Sequence, residues 1–295
     1  MTSVDIAYPA AAILGECPVW SPDDNMLYWV DIEGRVIHRF DPATGTDESR
    51  QTHARPGSLV RTFDPGRLLV GMETELVWFD WATGTSQTWQ TVEPAGTGNR
   101  LNDGRADPAG RYWVGSMYED VSAGRFDGQL YRIDTDGSIH TMRSDVGVAN
   151  GLAFDPDRSR MYFADTLHDT VWRYDYDYET GDVRNATPFL DFSELPGHPD
   201  GACVDSEGCY WVAAVWAWAV MRFTPEGRLD RTIKLPVEAP TMPAFGGEDL
   251  STLYVTSIST GGSRLPSPEQ EHPGALVAID AGVTGRVDPP FGAPV

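Results

Sequence analysis

Turn signals recur six times along this chain of 295 residues, at intervals of 41 to 50 residues. Each signal follows a short apolar run and precedes a second run rich in aromatic and β-branched residues, which are the residues that strands favour. A third such run follows in every unit, a weaker fourth follows in some, and no stretch shows a sustained helical period. The signals are Ser21-Pro22, Asp64-Pro65, Asp107-Pro108, Asp155-Pro156, Asp205-Ser206 and Gly246-Gly247. A repeat of this length is typical of β-propellers, so we predict an all-β fold, a six-bladed β-propeller with four-stranded antiparallel blades around a central axis.

A β-sandwich or barrel, or two of them in tandem, is the alternative for a chain of this length. The regular repeat favours the propeller, and no Ser/Gly-rich or charged linker divides the sequence, so we predict a single domain over residues 1–295. The segment before Glu16 is expected to supply an outer strand that closes the ring and removes free sheet edges. Ser259 to Pro273 is predicted to be a long loop between the second and third strands of the last blade. The tail from about residue 282 is rich in Pro and Gly and is predicted to be irregular.

The charge of the chain restricts its partners. The formal net charge is −22 and Lys234 is the only lysine, which opposes binding to nucleic acid or to an anionic membrane surface. An acidic composition poor in Lys is consistent with a salt-adapted host, but GC-rich coding also replaces Lys by Arg, and the sequence does not separate the two.

Three cysteines, Cys17, Cys203 and Cys209, show no metal-type spacing and give an odd count. We therefore predict reduced thiols in a cytoplasmic protein. Cys17 and Cys203 fall in predicted innermost strands, where a buried apolar role is expected. No apolar run is long enough to span a bilayer, and the N-terminus lacks the basic region of a signal peptide.

The residue six places before the end of each turn signal is the most informative position for function. These residues are Glu16, Leu59, Asn102, Asn150, Asp200 and Thr241. In a propeller the first strand of a blade lies nearest the axis, so all six are expected at the start of an innermost strand, on one face. Four of them carry a carboxylate or a carboxamide, which suits a hard divalent cation such as Ca²⁺, Mg²⁺ or Mn²⁺.

Loops that join second and third strands open on the same face, and Arg100 lies on this rim. They contain the segments 118–120, 165–168 and 216–218 and the long loop of the last blade. A pocket with a metal floor, an Arg, amides and aromatic walls suits a small polyhydroxylated ligand. The alternative for each Asn-Gly or Asp-Gly pair, taken singly, is an ordinary turn. Two observations favour the metal site. The oxygen-bearing residues share one position in the repeat, and Glu16 begins an apolar run, where a turn is not expected.

Four segments resemble the signature blocks of the senescence-marker-protein/gluconolactonase family, which includes regucalcin and bacterial sugar lactonases. They are residues 14–20, 99–104, 149–153 and 199–201. The resemblance extends in order and spacing from about Ile13 to Ser257, and it implies a six-bladed propeller with one catalytic divalent cation (Ca, Mn, Mg, Zn or Fe). One departure is Cys17, where members of the family commonly have Gly.

The resemblance also implies roles for single residues. Glu16, Asn150 and Asp200 match the metal ligands of the family. Arg100 and Asn102 match its substrate-contacting pair, and Glu119 stands where some members place a further substrate contact. Leu59 and Thr241 are left to shape the channel.

The activity implied is metal-assisted hydrolysis of a sugar lactone, such as a glucono-, xylono- or arabinonolactone, with Asp200 as the candidate general base. A carboxylate bound to a dication is a weak base, so His198 and His168 are alternative proton carriers. Trp216 and Trp218 are candidates for stacking on a sugar face. The alternatives are an esterase or organophosphatase on the same fold, and a non-catalytic calcium-binding or protein-binding propeller. The expected partner is a small lactone, and the expected state is a monomer or a weak homo-oligomer.

Overall fold

The computed structural model describes residues 3–260 and 267–292, and it confirms the predicted propeller. Six four-stranded antiparallel sheets are arranged so that each blade follows the previous one in the chain. The first strand, β1 (Val4–Tyr8), belongs to the last blade. The first three blades consist of β2 (Gly15–Ser21), β3 (Met26–Asp31), β4 (Val36–Asp41) and β5 (Thr46–Gln51); β6 (Pro56–Arg61), β7 (Arg67–Met72), β8 (Glu75–Asp80) and β9 (Thr85–Thr91); and β10 (Asn99–Ala106), β11 (Tyr112–Tyr118), β12 (Gly128–Ile133) and β13 (Ile139–Val146).

The second half of the chain repeats the plan. Its strands are β14 (Ala149–Asp155), β15 (Arg160–Asp165), β16 (Thr170–Tyr176), β17 (Val183–Asp191), β18 (His198–Val204), β19 (Tyr210–Val215), β20 (Ala219–Phe223), β21 (Leu229–Lys234), β22 (Pro240–Gly246), β23 (Thr252–Ser257) and β24 (Leu276–Asp280). Within the described residues the helices are 3₁₀ helices of three residues each, and none is long and apolar enough to cross a membrane.

The ring closes as expected from the sequence. Strand β1 pairs antiparallel with β24, so the N-terminal segment supplies the outermost strand of the blade that ends the chain. The predicted long loop does lie between β23 and β24, although its residues 261–266 fall outside the described part. Closure joins the two ends of the chain in one sheet and gives every blade a neighbouring blade on both sides.

The core lies between the blades, because each sheet is buried on both faces near the axis. Every pair of neighbouring blades shares at least one cluster of buried apolar side chains. All seven residues of β2, β14 and β22 are buried, whereas β5 is mostly exposed. This gradient explains why the innermost strands hold a site rigidly and why the fourth strands, half in solvent, have the weakest sequence signal.

Candidate functional site

The predicted site residues do meet at one end of the innermost strands, close to the axis. Glu16 lies in β2, Asn102 in β10, Asn150 in β14 and Asp200 in β18, and each is at most 7% exposed. Together with Arg100 they line one cavity. Four blades therefore each contribute a polar side chain to the same pocket.

Their strands are not regular at this point. In β2 and β14 the ladder breaks directly after Glu16 and Asn150, and in β10 and β18 the break encloses Asn102 and Asp200. A β-bulge bends its strand and re-aims the side chains beside it. The four residues have the same position in the sequence repeat, but two are the last paired residues before a bulge and two lie within one. The bulges nevertheless direct all four side chains into a common pocket.

Hydrogen bonds connect the polar side chains into an arc. Arg100 Nη1 donates to Asn102 Oδ1 at 2.7 Å, and Asn102 Nδ2 donates to Asn150 Oδ1 at 3.0 Å. Asn150 Nδ2 in turn donates to Thr166 Oγ1 at 2.8 Å, whose hydroxyl donates to the carbonyl of Pro199 at 2.8 Å, next to Asp200. With its amide nitrogen held by Thr166, Asn150 keeps its carbonyl oxygen on the side of Asn102.

Two of the bulges are also fixed through their backbone carbonyls by neighbouring blades. Thr241 Oγ1 donates to the carbonyl of Gly15 at 2.5 Å, and Ser58 Oγ donates to the carbonyl of Asn102 at 2.7 Å. Thr241, left without a chemical role by the sequence, therefore holds the residue before Glu16. These bonds preorganise the pocket before any ligand arrives.

The carboxyl groups of Glu16 and Asp200 resist ionisation when no cation is bound. Burial raises the pKa of Glu16 well above its ordinary value, and the charges of Asp200 and Asp103 raise it further. Burial likewise raises the pKa of Asp200, followed by the charge of Asp103. Arg100 offsets this only weakly, because burial lowers the pKa of its guanidinium to about 10.

Glu16, Asn150 and Asp200 fit a hard divalent cation. Two buried carboxylates and one amide oxygen are the donors that such an ion prefers, and a dication supplies the charge that would keep both carboxylates ionised at neutral pH. The raised pKa values are the cost of holding this donor set without an ion.

This cost predicts how pH affects the gain in stability from metal. Because the folded-state pKa values are raised, the metal-free protein should lose stability as pH rises from about 4, where ordinary carboxyls ionise, through those values. A bound cation removes that loss, so the difference in Tm between metal-loaded and chelator-treated protein should grow with pH. Thermal unfolding between about pH 5 and 8 measures it. Two results would contradict the assignment of Glu16 and Asp200 as metal ligands. One is a difference in Tm that does not change with pH, and the other is an equal increase of that difference with pH in a Glu16→Gln/Asp200→Asn double variant.

The cavity that these groups line measures about 140 Å³. Its apolar lining comes from several blades and includes Leu14, Ile32, Met117, Val121, Val148, Val215, Trp216 and Ile258. A ligand in this cavity meets a few hydrogen-bonding groups among apolar side chains, as in many small-molecule sites.

Other residues suggested by the sequence lie on the rim. The Glu119 carboxylate is 57% exposed and accepts from Arg55 Nη1 at 3.1 Å. His168 and His198 pair with Asp165 at 2.7 Å and Asp169 at 2.6 Å. None of these three, nor Trp218, lines the cavity, whereas Trp216 does.

Cys17 occupies a left-handed backbone position, with φ of 48°, in the bulge after Glu16. Glycine is the residue that adopts this conformation without strain, which gives a physical reason for the family's preference noted above. The side chain is 1% exposed and its Sγ accepts from the amide of Leu59 at 3.2 Å. Burial raises the pKa of the thiol, so Cys17 is a protonated packing residue, as expected, and all three cysteines are free and buried.

A second group of metal-type side chains lies near the opposite face. Ligand atoms of Asp205, Glu207 and Cys209 are within 4.8 Å of one another. However, Arg222 donates to Asp205 Oδ2 at 2.8 Å and pairs with Glu207, and Asp205 Oδ1 accepts from two backbone amides. Both oxygens of Asp205 are thus already occupied, and burial raises the pKa of the Cys209 thiol to about 11, so the cluster is a poor match for a cation.

Sequence reasoning missed two polar residues of the site. Thr166 lies in a loop that was expected on this face, but its link between Asn150 and Pro199 has no sequence signal. Asp103 is 4% exposed and bonds to the amide of Leu152. Asp103 was not predicted because the sequence Asn-Asp-Gly, in which it follows Asn102, is typical of a turn.

The fold and the site define a six-bladed propeller with an axial pocket of carboxylate and amide oxygens. Residues 14–259 match the SMP-30/Gluconolactonase/LRE-like region, and the chain belongs to this family. It is 39% identical to pentonolactonase XacC of Haloferax volcanii, with 92% of each chain covered. It is 38% identical to 6-deoxy-6-sulfogluconolactonase of Pseudomonas putida, with 95% of each covered. Among solved structures, a calcium-binding protein, regucalcin, from Agrobacterium tumefaciens superposes with a TM-score of 0.92 at 28% identity, covering 99% of this chain and 98% of that one.

Proposed function

We propose that this protein hydrolyses a sugar lactone to the sugar acid, with one divalent cation held by Glu16, Asn150 and Asp200. The observation that carries the proposal is the pair of buried carboxyl groups beside an amide oxygen at the floor of a small polar and apolar pocket. The lactonase names of the two relatives and the calcium-binding name of the solved structure support it.

The cation, when bound, would supply Lewis-acid polarisation of the ester carbonyl and lower the pKa of water. Arg100 uses Nη1 for Asn102 and for the carbonyl of Leu101, so among the described residues its other donors remain for a sugar hydroxyl or the lactone oxygen. Trp216, which lines the cavity, would cover a C–H face of the sugar ring and exclude water there.

Asp200 is the proposed group that accepts a proton from the attacking water. Its own environment raises its pKa, whereas a bound dication lowers it. The two effects oppose each other, which keeps the carboxylate ionised yet more basic than an exposed carboxylate bound to the same ion. His168 and His198 are held by Asp165 and Asp169 outside the cavity, which favours Asp200 over either of them.

The proposed substrate is a five- or six-carbon aldonolactone, and a pocket of about 140 Å³ lined by an Arg, amides and apolar side chains suits a small polyhydroxylated ring. A protein-binding role is less well supported. The large apolar side chains that are exposed among residues 3–260 and 267–292 are Ile13, Phe63, Phe126 and Leu229, which belong to four different parts of the ring and form no evident patch.

A lactone panel on metal-stripped protein tests the proposal. We expect acid release from a five- or six-carbon aldonolactone when Ca²⁺, Mg²⁺, Mn²⁺, Zn²⁺ or Fe²⁺ is restored, and background rates in chelator. Aryl esters and an organophosphate serve as comparison substrates, and faster turnover of either would favour the esterase reading. No turnover of any lactone with any metal would favour a non-catalytic binding protein.

A further inference from the structure

A buried carboxylate that the proposed reaction does not use lies one residue after Asn102. Asp103 is 4% exposed, and its Oδ2 accepts from the backbone amide of Leu152 at 3.0 Å. Its Oδ1 is buried without a hydrogen-bond partner in the described part of the chain. A buried carboxylate with an unpaired oxygen is costly, so the bond that it does make requires an explanation.

That bond crosses from the third blade to the bulge of the fourth. The ladder between β14 and β15 is interrupted between Asn150 and Ala153, and Leu152 is inside the interruption. Its amide is therefore not paired in the ladder, and Asp103 supplies the acceptor. An amide bonded to a charged acceptor makes a stronger bond than one bonded to a neutral group.

The rest of the bulge is fixed from both sides. Asn102 Nδ2 donates to the carbonyl of Ala149 at 2.9 Å, and Tyr210 Oη donates to the carbonyl of Gly151 at 2.9 Å. Gly151 has φ of +60°, and a Cβ there would lie 2.5 Å from Tyr210 Oη. The backbone on both sides of Asn150 is thus held by side chains from the third and fifth blades.

We propose that Asp103 is a positioning residue, which sets the direction of the Asn150 side chain by anchoring the bulge of β14 from the neighbouring blade. Without this bond the Leu152 amide is left buried and unpaired, and the bulge keeps only its anchors at Ala149 and Gly151. The backbone that follows Asn150 is then held less tightly, so the Asn150 amide oxygen is expected to deviate from the direction that suits a ligand in the pocket. The role of Asn150 as a metal ligand rests on the proposed function, whereas the anchoring of the β14 bulge by Asp103 does not.

Two substitutions separate the bond from side-chain size and charge. Asp103→Leu removes the acceptor at similar volume and leaves no buried charge, so it is expected to fold. Asp103→Asn keeps an acceptor for Leu152 and removes the charge. Asp107→Asn is the matched control. Asp107 follows β10 and is also a buried carboxylate, but it accepts hydrogen bonds from the backbone amides of Ala109 and Arg111 near the opposite face.

Hydrogen exchange of the metal-free protein reads the anchoring directly. We expect the Leu152 amide to exchange about tenfold faster in Asp103→Leu than in the wild type, and Asp103→Asn to restore most of the protection. Titration with Mn²⁺ should show an affinity about 10- to 100-fold weaker in Asp103→Leu, near wild type in Asp103→Asn, and unchanged in Asp107→Asn.

Unchanged exchange at Leu152 in Asp103→Leu would overturn the proposal, and so would an Asp103→Asn variant as impaired as Asp103→Leu. A wild type that binds no Mn²⁺ would count against the proposed function alone, because the exchange experiment needs no metal.

Discussion

Asp200→Asn and Glu16→Gln should each lower kcat/KM for the best lactone by about 10³-fold, since the Lewis acid that they hold is worth several kcal/mol and each 1.36 kcal/mol is a factor of ten. Both substitutions keep the shape of the side chain and remove its charge. The loss is expected to come from metal affinity, so titration with Mn²⁺ should show a matching decrease.

The same substitutions should raise the stability of the metal-free protein. Glu16 and Asp200 are each 7% exposed, and burial raises the pKa of both. The charges of Asp200 and Asp103 raise the pKa of Glu16 further, and the charge of Asp103 raises that of Asp200. Replacing one of the two by a neutral amide removes a buried charge and its repulsion at neutral pH. A substitution that stabilises the fold while it removes function shows that the original residue serves binding at a cost in folding free energy.

Asp205→Asn is the matched control for this experiment. Asp205 is fully buried and follows β18, the strand that carries Asp200, but its partners are Trp211 and Arg222 near the opposite face. It should lower Tm and leave kcat/KM of the folded protein and metal affinity nearly unchanged. Full lactone turnover in both Asp200→Asn and Glu16→Gln would refute the site assignment.

Asp288→Ala should lower Tm by about 3–6 °C, which corresponds to about 2–4 kcal/mol for a chain of this size. Arg105 Nη1 contacts both carboxylate oxygens of Asp288, at 2.6 and 2.7 Å, and the Arg105 side chain is 7% exposed. Removing Asp288 leaves a buried guanidinium without its counter-charge, which is the costly way to break an ion pair.

Asp288 belongs to a C-terminal strap, residues 286–292, that crosses the face opposite the site. The strap and the inner strands enclose a cavity of about 290 Å³. Arg61 donates to the carbonyl of Asp288 at 2.9 Å, the amide of Phe291 donates back to Arg61 at 2.7 Å, and the Phe291 ring packs beside Trp78 and Trp89. The loss of stability should therefore be accompanied by exposure of the strap to protease.

The control pair is Arg39 and Glu48, which are 24% and 56% exposed at their side chains. Glu48→Ala should cost less than about 1 kcal/mol, as exposed ion pairs generally do. An Asp288→Ala effect no larger than that of Glu48→Ala would show that the strap is held by its apolar contacts rather than by the Arg105 pair.

The sequence by itself determined the architecture, because each blade repeats the same order of strands and turns. A period of 41 to 50 residues with a turn after each inner strand is enough to place Glu16, Asn150 and Asp200 at one end of the axis. It also predicted the closing strand β1 and the long loop before β24, since both follow from where the sixth repeat is incomplete.

Only the tertiary structure decided the details that make the pocket work. The bulges place residues of one sequence phase at two ladder positions, and a sequence contains no record of which residue a ladder skips. Asp103 and Thr166 act through backbone groups 49 and 33 residues away, so no local pattern reveals them. The tail was predicted to be irregular, and its described residues, up to 292, form no strand. Its role as a strap depends on Arg61 and Arg105 in the second and third blades. Contacts between residues far apart in the sequence are set by the packing of neighbouring blades in the ring, and for that reason only the folded structure reveals them.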